Sequence, residues 1–196
     1  AWSEPLGKML ELRVPILASA MDAVVDARFA GVLSGLGGLA VLNLEGVQAR
    51  YDAPDAVLER IATAPDDEVH GLLADAYQAP IREDLIASRI AEIRAGGVTV
   101  AAALSPMRTA QFAKAVVDAG VDIFVIRGTT VSAEHVPGPN STREPLNLKQ
   151  FIYELDVPVI VGGCATYQAA LHLMRTGAAG VLVGFGGGAA HTTRTV

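Results

Sequence analysis

The stretch VPVIVGGCATYQAALHLMRTGAAGVLVG, residues 157–184, carries the pattern that decides the fold. An apolar run is followed by a segment whose apolar residues recur three and four apart, then by Gly177 and a second apolar run. Glycine suits the left-handed position just past a helix C-terminus, and a continuous apolar run suits a strand buried on both faces. The stretch therefore predicts a strand, a helix and a second, parallel strand.

The same pattern recurs along the chain. Glycine followed by an apolar run also occurs in LGGLAVLN (36–43), AGGVTVAAA (95–103) and AGVDIFVI (119–126). With the run VPILASA, we predict six strands near 14–19, 39–43, 98–104, 122–126, 157–162 and 180–184. Helical periodicity fills the gaps, with Asp55 and Thr166 as predicted N-caps. This alternation predicts βαβ units.

Two stretches interrupt the alternation. Residues 44–94 hold at least two predicted helices, which is more than one crossover needs, so we interpret them as a short helical insertion. Residues 128–149 are predicted to form a long polar loop after the fourth strand.

Composition and charge exclude several classes of protein. The chain has 196 residues, of which 51% are apolar, and this indicates one globular domain. A net charge of −6 argues against a nucleic-acid partner, and no apolar run reaches the roughly 18 residues of a membrane span. The only cysteine, Cys164, cannot form an internal disulfide, which favours a cytoplasmic protein.

Two α/β architectures fit these elements: an open doubly wound sheet and a (β/α)8 TIM barrel. We expect a single partial TIM-barrel domain over 1–196, with only about the first six strands present and the last two missing. In either fold, ligands bind at the carboxyl ends of the strands. The residues that follow each predicted strand are therefore the candidate site.

The segments at these strand ends are polar or rich in glycine. They are Ser19–Asp22, Asn43–Gly46, Ser105–Pro106, Arg127–Thr130, Gly162–Thr166 and the loop GFGGGAAHTTR at 184–194. The loop matches the dinucleotide pattern G-x-G-x-x-A, which is a weak signal alone, because the fingerprint also needs a helix next and an acidic residue about 20 positions on, and belongs after the first strand of a unit. It also lacks the lysine of a P-loop.

Three blocks in order resemble the IMP dehydrogenase/GMP reductase family. VPILASAMDAVVDARFAGVLSGLGGLAVLN resembles the family's Ser-x-Met-Asp block and the Gly-Gly turn after it. PVIVGGCATYQAALHLMRTGAAGVLVG resembles its strand, Gly-Gly turn, helix and following strand. GFGGGAAHTTR lies where the family carries its catalytic loop, Gly-x-Gly-x-Gly-Ser-x-Cys-Thr-Thr-Arg. SAEHV and EPLNLKQFIYELDVPVIVGG further resemble the related branch without a regulatory CBS pair, in whose place 44–94 would stand.

This resemblance implies a TIM barrel, a homo-tetramer, and oxidation or reduction of a purine nucleoside monophosphate in GMP biosynthesis and purine metabolism. NAD or NADP would exchange the hydride, and carbonyls of the catalytic loop would hold a monovalent cation, K+. Implied nucleotide-binding residues are Ser19, Met21, Gly162, Gly163, Cys164 and Ala189. Implied cofactor-binding residues are Arg127, Gly128 and Thr129. The cation would lie against the carbonyls of Gly186, Gly188 and His191, and catalysis would involve His191, Thr193 and Arg194.

Five positions depart from the family pattern. His191 occupies the place of the nucleophilic cysteine, and Ala189 that of a phosphate-contacting serine. Leu182 replaces an arginine or lysine, Arg127 replaces a cofactor-side aspartate, and Cys164 replaces an asparagine. Imidazole can act as a general base, but it substitutes poorly for a thiolate that forms a covalent intermediate. Two functions therefore remain open: a purine-nucleotide oxidoreductase, and a nucleotide-binding homologue with impaired catalysis.

Overall fold

The main sheet of the computed structural model contains six strands, all parallel. The structure describes residues 12–128, 134–135 and 146–184. The strands of the main sheet are β1 (Leu17–Ala18), β2 (Leu39–Asn43), β3 (Ala101–Leu104), β4 (Ile123–Arg127), β7 (Val159–Cys164) and β8 (Gly180–Val183). A separate antiparallel pair, β5 (Glu134–His135) and β6 (Leu146–Asn147), lies between β4 and β7 in the chain. All six strands predicted from the sequence are present, although β1 is shorter than expected.

The strand order separates the two architectures that the sequence left open. The sheet runs β1-β2-β3-β4-β7-β8, so each strand pairs with the next main-sheet strand along the chain. A doubly wound sheet reverses its strand order at a switch point, whereas a TIM barrel adds strands in sequence. The six strands form a curled half-barrel, which confirms the predicted partial TIM barrel.

Alternate residues of each strand face the two sides of the half-barrel. One side carries residues such as Leu42, Leu104 and Phe124, and these pack against the helices. The other side carries a smaller cluster that includes Val41, Ala103 and Val125. The central strands β2, β3, β4 and β7 are buried on both sides, so they are apolar runs that were recognisable in the sequence.

Seven helices occur in the described part of the chain. They are α1 (Ala27–Leu36), α2 (Pro54–Ala62), α3 (Asp66–Ala76), α4 (Glu83–Ala95), α5 (Pro106–Asp118), α6 (Leu148–Glu154) and α7 (Tyr167–Met174). A short 3-10 helix, Val47–Ala49, follows β2. Among these residues, no helix has the length and apolar character needed to cross a membrane.

The helix ends confirm most of the local predictions. Gly37, Gly97, Gly120 and Gly177 all have positive φ, as expected for glycines after helices. The Thr166 side chain caps α7 by accepting a hydrogen bond from the Ala169 amide at 3.2 Å. The cap predicted at Asp55 is wrong, because Pro54 is the first residue of α2 and Ala53 precedes it. Asp55 lies instead in the first turn, where its charge favours the helix N-terminus.

Two predicted boundaries need correction. Helix α4 buries Ile86, Ile90 and Ile93 against the sheet side that the other helices cover, so it is an ordinary crossover helix. The insertion is therefore shorter than 44–94 and ends near residue 82. The predicted loop 128–149 contains β5 and β6, and α6 begins within it, at Leu148.

Candidate functional site at the carboxyl edge

The parallel sheet brings the predicted strand-end residues to one edge. Ser19 and Met21 follow β1, Asn43 ends β2, and Arg127 ends β4. Gly162 and Gly163 lie within β7, directly beside the end of β4, because Arg127 pairs in register with Gly162. Ser105 follows β3 at the same edge. Five of the six main strands, β1, β2, β3, β4 and β7, thus contribute residues to one continuous edge.

Arg127 links β4 to the loop after β1. One guanidinium nitrogen, Nη1, donates to the Ser19 hydroxyl at 2.8 Å, and Nη2 donates to the Ala20 carbonyl at 2.9 Å. Within residues 12–128 and 146–184, no carboxylate forms an ion pair with this exposed arginine. A residue expected on the cofactor side therefore contacts a residue expected on the nucleotide side, and its positive charge is available to an anion.

Asp22 anchors the other end of the same loop. Its Oδ1 accepts from Asn43 Nδ2 at 2.6 Å, while its Oδ2 accepts from the Val47 amide at 3.0 Å and the Tyr77 hydroxyl at 2.5 Å. A Cβ on Gly46 would lie 1.8 Å from Asp22 Oδ1, so only glycine leaves room for this carboxylate. Asp22 is thereby held by three donors from two different parts of the chain.

Tyr77 brings the insertion to this edge. It follows α3 and lies 55 residues from Asp22 in the chain. The Arg50 guanidinium lies over its ring, 5.7 Å from the centroid. Burial, the hydrogen bond to Asp22 and the negative charge of Asp22 together raise the pKa of the Tyr77 phenol to about 12, with burial the largest cause, while the charge of Arg50 acts in the opposite direction. The phenol therefore remains a hydrogen-bond donor at neutral pH.

Backbone contacts between β4 and β7 define what their glycines can offer a ligand. The Gly128 amide donates to the Gly162 carbonyl at 2.8 Å, and the Gly163 amide donates to the Gly128 carbonyl at 2.9 Å. These two amides are already bonded, so the glycines offer close approach rather than free donors. Gly162 has a further reason to be glycine, because a Cβ there would lie 2.6 Å from the Leu182 carbonyl oxygen.

Cys164 lies at the end of β7 with its side chain inside the fold. The residue is 1% exposed, and Sγ donates to the Leu182 carbonyl at 3.5 Å. The nucleotide-binding role expected for Cys164 stays a prediction. The buried thiol indicates that its backbone, rather than its sulfur, would carry such a role.

The predicted catalytic loop falls outside the described residues. The following residues, to which the sequence analysis gave roles, also lie outside them: Thr129, Gly186, Gly188, Ala189, His191, Thr193 and Arg194. Their roles stay predictions from the sequence.

Several residues of the edge received no role in the sequence analysis. Glu45 accepts from the Ser105 amide through its side chain, and the Glu45 amide donates to Asn43 Oδ1 at 3.1 Å, so both residues tie β2 to its neighbours. Asn43 and Glu45 were recognisable only as polar residues after a strand. Tyr77 gave no signal at all, because its partner Asp22 is distant in sequence and lies outside the insertion.

The edge offers two kinds of recognition chemistry. Arg127 and the Ser19 hydroxyl can donate to an anionic oxygen. Met21 is 50% exposed and presents a polarisable thioether, which packs well on aromatic rings. An anionic group and a flat ring are the two ends of a nucleotide, so the edge suits a small molecule of that class.

Comparisons with known proteins agree with this geometry. The model of the IMP dehydrogenase / GMP reductase domain matches residues 2–196, and the chain belongs to this family. An uncharacterised oxidoreductase of Mycobacterium tuberculosis is 46% identical over 178 residues, covering 88% of this chain and 47% of that protein. Inosine-5'-monophosphate dehydrogenase of Cryptosporidium parvum is 28% identical over 198 residues, covering 97% of this chain and 48% of that protein.

A solved structure confirms the fold. The crystal structure of an IMP dehydrogenase/GMP reductase-like protein from Corynebacterium glutamicum superimposes with a TM-score of 0.80 at 38% identity. The match covers 88% of this chain and 46% of that one. This chain thus spans about half the length of the relatives that it matches.

Proposed function

We propose that this chain forms the nucleotide-binding half of an oxidoreductase that acts on IMP or GMP with NAD or NADP. The observation that carries the proposal is the contact of Arg127 with Ser19 and Ala20, which joins the predicted cofactor and nucleotide residues at one edge. Membership of the family and relatives named as oxidoreductases support it.

In this proposal the monophosphate lies near the Ser19 hydroxyl and the purine ring lies near Met21. The Arg127 guanidinium has further N–H groups beyond the two that bond Ser19 and Ala20, and these suit a phosphate oxygen of the nucleotide or of the cofactor. Gly128, which is half-buried, packs against the buried Gly162 and Gly163 and would present the ligand with backbone that carries no side chain.

The nicotinamide cofactor would supply hydride acceptance or donation beside the purine. Arg127 and Gly128 fit its cofactor side because a cation that forms no ion pair with the carboxylates of the described residues suits a pyrophosphate or phosphate group. The predicted contributions of Thr129 and of a K+ ion at Gly186, Gly188 and His191 belong to the same proposal. A homo-tetramer in the cytoplasm, working in purine metabolism, completes it.

The second candidate is a nucleotide-binding homologue with impaired catalysis. It is favoured by one observation in the sequence, the histidine at 191 where the family carries its nucleophilic cysteine. A His191→Cys variant separates the two candidates. Turnover only in the variant indicates a lost nucleophile, whereas turnover in the wild type that His191→Ala abolishes assigns the chemistry to the imidazole.

Binding at the edge is tested by calorimetry with IMP and GMP. We expect Arg127→Ala to weaken nucleotide binding by about tenfold or more, because a charge-assisted hydrogen bond is lost. Arg175→Ala is the matched control: it removes the same charge just after α7, near the amino end of β8. Equal affinities for all three proteins would contradict the proposed site, and no binding of any purine nucleotide would reject both candidate functions.

Turnover is measured separately, on the whole oxidoreductase of which this chain forms half, by the absorbance of reduced nicotinamide with each pairing of nucleotide and cofactor. Turnover of IMP or GMP supports the first candidate. Nucleotide binding without turnover supports the second.

A further inference from the structure

The loop Ser19–Asp22 is held from two opposite sides. Arg127 bonds its first half through the Ser19 hydroxyl and the Ala20 carbonyl. Asp22 anchors its second half through Asn43, Val47 and Tyr77. Met21 lies between these anchors, and its carbonyl accepts from the amides of Val24 and Val25. The position of Met21 therefore depends on both anchors.

The Tyr77 anchor comes from a segment that is itself firmly attached. The carbonyl of Ala76 accepts from the Tyr51 hydroxyl at 3.0 Å, and the carbonyl of Ala79 accepts from Arg50. The Arg82 amide donates to the Ala49 carbonyl at 2.9 Å. Tyr77 is thus fixed between bonded neighbours, which allows it to hold Asp22 rather than follow it.

The rest of the insertion is loosely packed by comparison. Of the residues in α2 and α3, only Pro54 and Ala76 are buried, and Ala76 directly precedes Tyr77. The insertion thus returns to the edge of the sheet at Tyr77, which bonds Asp22 of the Ser19–Asp22 loop.

We propose that Tyr77 is a positioning residue: through Asp22 it sets the placement of the Ser19–Asp22 loop that binds the nucleotide. The inference rests on the proposed function for its last step, because the ligand of that loop is the proposed purine nucleotide. Tyr77 acts through Asp22 and does not itself contact the ligand. The insertion thereby contributes to nucleotide affinity from outside the barrel.

Amide hydrogen exchange on the unliganded protein tests the positioning directly. The Val47 amide bonds Asp22 Oδ2, and the Val24 and Val25 amides bond the Met21 carbonyl, so the three report on the loop. We expect Tyr77→Phe to speed their exchange by about tenfold, the ratio expected for one lost hydrogen bond to a charged group. Tyr153→Phe is the control, since it removes the phenol hydroxyl of a 90% exposed tyrosine on α6 that contacts neither Asp22 nor the segment that holds Tyr77.

Calorimetry with IMP then tests the consequence. We expect Tyr77→Phe to weaken binding several-fold and Tyr153→Phe to leave it unchanged. Unchanged exchange in Tyr77→Phe, equal acceleration in Tyr153→Phe, or unaltered IMP affinity in Tyr77→Phe would each overturn the inference while the wild type still binds. If the wild type binds no purine nucleotide, the proposed function fails, and the exchange comparison still decides whether Tyr77 positions the loop.

Discussion

The central sheet and the helical hairpin α2–α3 are held in place by different forces. Strands β2, β3, β4 and β7 are almost entirely buried, and their side chains pack on both sides. The hairpin buries little, and the segments at its two ends are held by directed polar contacts such as Tyr77 to Asp22. Apolar burial is strong but non-directional, whereas hydrogen bonds place particular atoms. We therefore expect core substitutions to change stability and substitutions at the hairpin's junction to change the site.

The largest effect is expected for Phe124→Ala in the sheet. Phe124 is fully buried and packs edge-on against Phe151, with the ring centroids 5.9 Å apart. Removing the ring leaves a cavity, so the free energy of unfolding should fall by about 3–5 kcal/mol. Denaturant unfolding measures this change. Leu73→Ala in α3, where the side chain is 40% exposed, should lower it by less than about 1 kcal/mol, and equal losses at the two sites would contradict the contrast.

An intermediate effect is expected for Gly46→Ala, where the sheet meets the insertion. The new Cβ would overlap the Asp22 carboxylate, which must move away from Val47 and Asn43. Overpacking of this kind should lower the free energy of unfolding by about 1–3 kcal/mol. Gly71→Ala in the open middle of α3 is the control: nothing lies near its new Cβ, and helix propensity should raise stability by about 0.5–1 kcal/mol. Changes of the same sign in both variants would refute this account of Gly46.

The smallest effect is expected at high pH. The pKa of the Tyr77 phenol is about 12 in the folded protein, whereas an unperturbed tyrosine has a pKa of 10.0. As the pH rises, the unfolded chain therefore loses the phenol proton first. The stabilising contribution is complete below pH 10 and disappears as the pH rises toward about 12. The wild type should therefore lose more stability over this range than Tyr77→Phe. Tyr153→Phe, whose side chain is 90% exposed, should behave like the wild type.

The elements of the sheet were predictable because short-range pattern and long-range packing agree. Buried parallel strands are apolar runs, and the glycines that end the helices have the positive φ that favours glycine. The order of the strands was not predictable from the sequence pattern alone, since both α/β architectures have the same alternation of strands and helices. Only the register, with Arg127 beside Gly162, fixes which strand ends meet.

The placement of Ser19, Met21 and Arg127 at the carboxyl edge was predictable, because each residue ends a strand or closely follows one, while their roles there stay predictions. The contact of Tyr77 with Asp22 was not predictable, because it joins residues 55 positions apart and no local pattern marks Tyr77. The contacts of Arg50 were not predictable either, because the sequence pattern does not determine the path of the insertion. Its partners Glu45 and Ala79 lie on either side of it in the chain.

The central claim is that the carboxyl edge of the half-barrel binds a purine nucleotide. Its most direct test is the mapping of backbone amide chemical-shift changes as IMP is added. We predict changes concentrated at residues 19–22, 127–128 and 162–164. A response centred on the opposite edge, where Arg94, Thr99 and Asp122 line a cavity of about 390 Å³, would contradict the claim, as would no response.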